Sequence, residues 1–339
     1  MSTSSTWSEP ESERPNPLTA LWRGSSAPSM FEWFFVISGG LVIALPFVFW
    51  MGEQALGRAD VIRWYFWMNA LISSPHVYGT YVRFQRKVNE RKVSWWCGFP
   101  MYFAIVAALS AVSMSGYFIE VVTAINVWQS YHYLRQIYGV GCLYGRQKEC
   151  DEKSRKLRFW GYHLVFPALI LGRWDTIYQV WGGQTYTFIP VDFSANLMRF
   201  MWIIAAIGFY LAMINELRLM IKNKRDYRLL GMINYIVSLA IHTFGFVLVA
   251  YYQRGFFAVT IFHAVQYLAL VWITERRKAE SDGKKWVLKT PNIVGFGMFW
   301  LFLFVLGYGF DHNVTTILSS YWAQATTILL IAVSAHHYT

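Results

Sequence analysis

Apolar runs of about 20 residues, long enough to cross a bilayer as helices, recur along this chain with short polar connections between them. In hydrocarbon no water is at hand for backbone N–H and C=O groups. A helix satisfies them within one segment. A chain that puts such runs into a membrane therefore has a helix bundle as its fold. Ten runs are legible, at residues 31–50, 61–82, 97–114, 117–144, 160–180, 196–220, 229–252, 255–275, 292–310 and 318–338. The expected fold is all-α: a polytopic integral membrane bundle of about ten transmembrane helices, with one domain at 30–339 after a polar tail at 1–29.

The connections carry a second signal. RFQRKVNERK (83–92), RQKECDEKSRKLR (146–158), KNKRDYR (222–228) and ERRKAESDGKK (275–285) are strongly basic, and they follow the second, fourth, sixth and eighth runs. The other connections carry few Lys or Arg. Short loops rich in Lys and Arg stay in the cytosol, so the alternation places both termini there. A missed helix would break it. The fifth run is the exception in quality, because Arg173 and Asp175 fall in its outer half. Either they pair there or the helix ends early.

Composition excludes several classes. Hydrophobic residues make up 55% and charged residues 14%, against roughly 25% charged in a soluble domain. The net charge of +11 is explained by the loops, so no nucleic acid is expected as a partner. Cys97, Cys142 and Cys150 are too scattered for a disulfide framework or a cysteine-rich metal site. The first 29 residues lack the basic start and short apolar core of a cleavable signal peptide, and read as a disordered cytosolic tail. The expected location is a multi-pass position in a bacterial inner membrane, with the lipid bilayer as partner.

Ionisable residues inside a membrane are costly and mark candidate sites. Threading by the loops brings His76, His132, His263 and the His336–His337 pair to the cytosolic side. His76 lies seven residues before Arg83, or about 10 Å at 1.5 Å per residue. Asn69, Ser73, His76 and Thr80 make a polar stripe in the second run, with Pro75 expected to kink the helix just before His76. In the fourth run Gln129, His132, Tyr133 and Gln136 share a face. Gln129 and Gln136, with Gln266 in the eighth run, are candidate partners that orient a ligating histidine. Arg135 lies nearer the cytosol, where it could bind an anionic group. Thr260, His263 and Tyr267 share a face in the eighth run. A lone histidine in a span is as well explained by a helix–helix hydrogen bond, worth about 0.6 kcal/mol on average. Four or more at one depth favour a metal site. Imidazole sets suit iron, zinc or copper over magnesium or calcium.

The segments SPH (74–76), YHYLRQ (131–136), FHAVQY (262–267) and AHHY (335–338) resemble, in style and order, those of the bacterial membrane β-carotene-cleaving oxygenases. In place of the acidic residues that follow histidines in that family stand Thr80 and Gln136. The eight-histidine boxes of membrane desaturases and hydroxylases, with their HxxxH and HxxHH spacings, are not matched. The resemblance implies a non-haem iron held by histidines on separate helices. It makes His76, His132, His263 and His336 or His337 the metal ligands, and an apolar substrate the partner: a lipid, isoprenoid or fatty acyl chain. Tyr133, Arg135 and Tyr267 are the catalytic candidates, and a soluble reductase is the expected electron donor. Two other readings use the same histidines. One is a metal-ion or proton transporter. The other is an assembly or structural subunit of a membrane complex that binds haem or a pigment.

Overall fold

A computed structural model describes residues 30–40, 71–72, 74–90, 94–97, 99–144, 151–171, 178–181, 184–187, 194–222, 229–248, 252–283 and 291–319. The tail at 1–29, Asn69, Ser73, and most of the tenth run with His336 and His337 lie outside them. Within them the chain is a helix bundle. Its helices are α1 (Ser74–Asn89), α2 (Phe99–Val112), α3 (Phe118–Tyr144), α4 (Glu152–Leu171), α5 (Ala195–Lys222), α6 (Leu230–Thr243), α7 (Tyr252–Ser281) and α8 (Asn292–Ser319). Three π-helical turns accompany them, at Glu32–Ile37, Ser113–Tyr117 and Phe244–Leu248. Five segments among the described residues are long and apolar enough to cross a membrane: Trp95–Val112, Ala195–Lys222, Leu230–Val247, Ala258–Ser281 and Asn292–Gly309.

The centre of the bundle is α7. From Ala258 to Ala269 it is buried almost throughout, with Tyr267 half-buried. Its sequence explains why: AVTIFHAVQYLA is apolar or uncharged on every face, and a helix apolar all round belongs in the interior. The first π-helical turn, α1, α3, α6 and α8 all pack against it. The chain approaches α7 most closely at Gly39 and Gly40, whose φ angles are +53° and +63°. A Cβ at Gly39 would stand 2.5 Å from the Phe262 ring. Glycine meets both needs there, the left-handed backbone and the missing side chain.

The α4–α5 pair shows the membrane form of helix packing. Lipid tails are as apolar as leucine, so helices associate through close backbone approach rather than burial of large side chains. The inner face of α5 carries Ala205, Gly208 and Ala212, while Phe200, Ile203, Ile207, Tyr210 and Ile214 point outward. A Cβ at Gly161 would lie 2.8 Å from that of Ala212, and one at Gly208 would lie 2.8 Å from Val165 Cγ2. At the end of this pair a buried Arg158 Nη2 donates to Glu216 Oε1 at 3.3 Å. Just beyond it, the Ser154 backbone N–H and the Arg218 guanidinium both donate to Asp151, holding its carboxyl below the usual carboxylate range.

The structure bears on three readings of the sequence. In the fifth run the described helix, α4, reaches Leu171, and Tyr178–Trp181 pairs antiparallel with Gln184–Thr187, so of the two alternatives for that run the early end is the one seen. The register joins Trp181 to Gln184, a short strand pair beside an otherwise helical fold. Arg173 and Asp175 lie outside the described residues. Pro75 is the second residue of α1, and a π-helical stretch lies upstream of it at 71–72. Finally, Glu216 is a buried acid within the apolar segment Ala195–Lys222 that the sequence reading did not single out.

Replacing Gly208 by Leu should destabilise the protein by about 1–3 kcal/mol through overpacking. The change Ile207→Leu, one residue away on the outer face, should stay within about 0.5 kcal/mol. Thermal unfolding in mild detergent checks this. Equal effects at the two positions would show that α5 does not pack on α4 through its glycine face.

Candidate metal centre

Three helices each bring one histidine to a common point. His76 comes from α1, His132 from α3 and His263 from α7. Their candidate ligand atoms lie within 4.8 Å of one another, and this is the one such group among the described residues. The Nε2 atoms of His263 and His76 are 3.1 Å apart. Ring centroids are separated by 4.6 Å (His76–His263), 4.9 Å (His132–His263) and 6.4 Å (His76–His132). His76 and His263 are buried, and His132 is half-buried.

The placement follows from the helices. His263 sits in the middle of the buried core helix. Gly79, one turn after His76, faces Leu268 and Leu303 and lets α1 settle between α7 and α8. On α3 the buried positions Tyr133, Leu134, Ile137, Val140 and Tyr144 define the inner face, with His132 at its border.

Two tyrosines frame the rings. Tyr133 lies tilted against His263 at 4.4 Å, and Tyr267 meets His76 edge-on at 4.5 Å. Each is held by a threonine: Tyr133 Oη lies 2.7 Å from Thr260 Oγ1, and Tyr267 Oη lies 2.7 Å from Thr80 Oγ1. Gln129 Nε2 donates to Tyr133 Oη at 2.6 Å. The tyrosines therefore fix ring orientation from outside, as supporting residues do around metal-bound histidines.

Behind them runs an amide chain. Gln136 Nε2 donates to the His263 carbonyl at 2.9 Å and to Gln266 Oε1 at 3.1 Å. Gln266 Nε2 in turn donates to the Val36 carbonyl at 2.7 Å and to Asn234 Oδ1 at 3.1 Å. The glutamines thus brace Tyr133 and the backbone of α7 rather than an imidazole nitrogen. Sequence reasoning missed Asn234, which reads as an ordinary polar residue near a helix end. Its signal was the spacing Asn234, Ser238, His242.

The structure gathers His76, His132, His263, Tyr133, Tyr267 and the three glutamines into one region. It does not bring Arg135 there. Arg135 is exposed on the Tyr131–Arg135–Gly139 stripe of α3, where its charge acts on Tyr138 and His163. His163 lies half-buried, stacked at 3.8 Å on Phe159. His336 and His337 lie outside the described residues.

The donor set fits a transition metal. Two imidazole nitrogens about 2.1 Å from one ion, at tetrahedral or octahedral angles, stand about 3.0–3.4 Å apart. The His76–His263 pair, at 3.1 Å, is in that range; the widest separation in the triad, 4.8 Å, is outside it, so an ion held by all three would draw the rings together. A purely nitrogen set suits iron, zinc or copper. Compared with protein-family models, with curated proteins and with solved structures, the chain matches none.

Losing His132 should abolish metal binding, whereas Tyr133→Phe should keep it with affinity reduced about 10–100-fold, the usual cost of removing a supporting hydrogen bond. Competition with a coloured chelator measures both. Unchanged affinity in His132→Ala would remove that residue from the ligand set.

Proposed function

We propose that this chain is an integral membrane oxidoreductase that uses histidine-bound non-haem iron to oxidise an apolar substrate with O₂. The observation that carries the reading is the convergence of His76, His132 and His263, from three separate helices, inside a bundle with membrane-spanning segments. A helix–helix hydrogen bond needs two polar groups, not three imidazoles on one point. In the proposed arrangement both termini are cytosolic, ten helices span a bacterial inner membrane, and His336 or His337 completes the ligand set. The resemblance to the membrane carotene-cleaving oxygenases supports iron over zinc or copper.

Bound iron would supply O₂ binding and one-electron chemistry. The chain's own residues do the rest. His76, His132 and His263 hold the ion through neutral nitrogen. Tyr133 and Tyr267 keep the rings oriented and wall the site against water, which protects reactive species. A lipid, isoprenoid or fatty acyl chain reaches the site laterally between helices, without leaving hydrocarbon. Insertion of one oxygen atom into the substrate would release the other as water, with two electrons from a soluble reductase and two protons from the cytosolic face.

The test is O₂ uptake by the iron-loaded protein with a reductase system, given β-carotene, a polyprenyl alcohol or a fatty acyl ester. Uptake should depend on one of these substrates and vanish in His76→Ala, His132→Ala and His263→Ala. Uptake that persists in all three variants would overturn the assignment of this site. Iron-independent ion flux in proteoliposomes, lost in the same variants, would favour the transporter reading.

A further inference from the structure

A second polar site lies on α6, away from the histidine triad. Its buried face carries Asn234, Ser238 and His242 at four-residue intervals, with relative exposures of 0%, 0% and 3%. In a membrane-spanning helix each is expensive unless it is satisfied.

His242 Nδ1 lies 2.8 Å from the Ser238 carbonyl oxygen. A carbonyl only accepts, so this nitrogen carries the proton. In the neutral ring Nε2 is then a bare acceptor. Nε2 of His242, Oγ of Ser238 and Nδ2 of Asn234 are buried and have no hydrogen-bond partner among the described residues. Leaving such groups unsatisfied costs the full desolvation penalty of each.

The surroundings are aromatic. The His242 ring packs edge-on against Phe166 at 4.8 Å and tilted against Phe246 at 5.8 Å. Directly after α6 the chain enters the π-helical turn Phe244–Leu248. Such turns occur often at functional sites. The other end of the stripe joins the network behind the triad, because Asn234 Oδ1 accepts from Gln266.

We propose that Ser238 and His242 bind a hydroxyl oxygen inside the membrane. Side chains four residues apart lie one turn apart on the same face of a helix, so Ser238 and His242 face the same neighbourhood. The ligand's O–H donates to His242 Nε2, and its oxygen exchanges a hydrogen bond with Ser238 Oγ. The aromatic walls accept whatever apolar body the hydroxyl carries. Two sources share this chemistry: the terminal hydroxyl of a long-chain alcohol, and an ordered water. The site needs no metal, so it stands or falls apart from the triad.

The experiment uses the full chain in mild detergent with 1-dodecanol and dodecane as probes. It also uses X-ray radiolytic footprinting, which labels side chains beside bound water. If the alcohol raises the unfolding midpoint above the alkane, and Ser238→Ala or His242→Phe removes the difference, the site takes a lipidic hydroxyl. If alcohol and alkane act alike but Phe166 and Phe246 are labelled in the wild type, and that labelling falls several-fold in Ser238→Ala, the ligand is water. Both wild-type readouts hold even where a variant fails to fold. Equal action of the two probes with Phe166 and Phe246 unlabelled would overturn the proposal.

Discussion

A polar group taken into hydrocarbon must find a partner within the protein, and most of this structure follows from that. The backbone meets the demand by folding into helices. Side chains meet it across helices: Thr80 with Tyr267, Thr260 with Tyr133, Gln266 with the Val36 carbonyl and Asn234. Each bond ties α7 to a different neighbour. None of the partners is charged, so the core is knit by dipoles and needs no buried counter-ion. The one buried ion pair described above, Arg158 with Glu216, sits where α4 and α5 approach the basic loops.

Because α7 is surrounded, its polar residues can only point at other helices. That is why a helix so apolar can carry His263, Thr260 and Gln266, each set against a residue of a neighbouring element. The triad is the place where three such demands meet: three imidazoles share one small volume, with tyrosines rather than carboxylates around them. A transition-metal ion would accept all three nitrogens at once. That makes the site economical for a bundle that holds acids away from its centre.

Much of this was legible before any coordinates. Depth, counted from basic loops, singled out His76, His132 and His263 together. Helical spacing placed Gln129 beside Tyr133, which it bonds, and put Thr260 and Tyr267 on one face, though each finds its partner on another helix. What spacing does not supply is the rotation of each helix. Arg135 follows His132 by three residues, and only the burial of Leu134 and Ile137 shows that α3 turns it outward. Nor does hydropathy alone show where a helix stops: the fifth run kept its apolar character up to a segment, Tyr178–Trp181, that pairs as a strand with Gln184–Thr187. The stripe on α6 was hidden for another reason. Serine and asparagine are common in spans, and their meaning came only from His242 and from the partners they lack.

The central claim is that the triad is a metal centre and not a packing motif. The direct measurement is the metal content of the full chain, purified without a polyhistidine tag after growth with added iron, by elemental mass spectrometry with a visible spectrum alongside. The account predicts iron at about one atom per chain, bound by nitrogen, and no Soret band. Protein that carries no metal under those conditions would contradict it, and the three histidines would then be a hydrogen-bonded packing cluster.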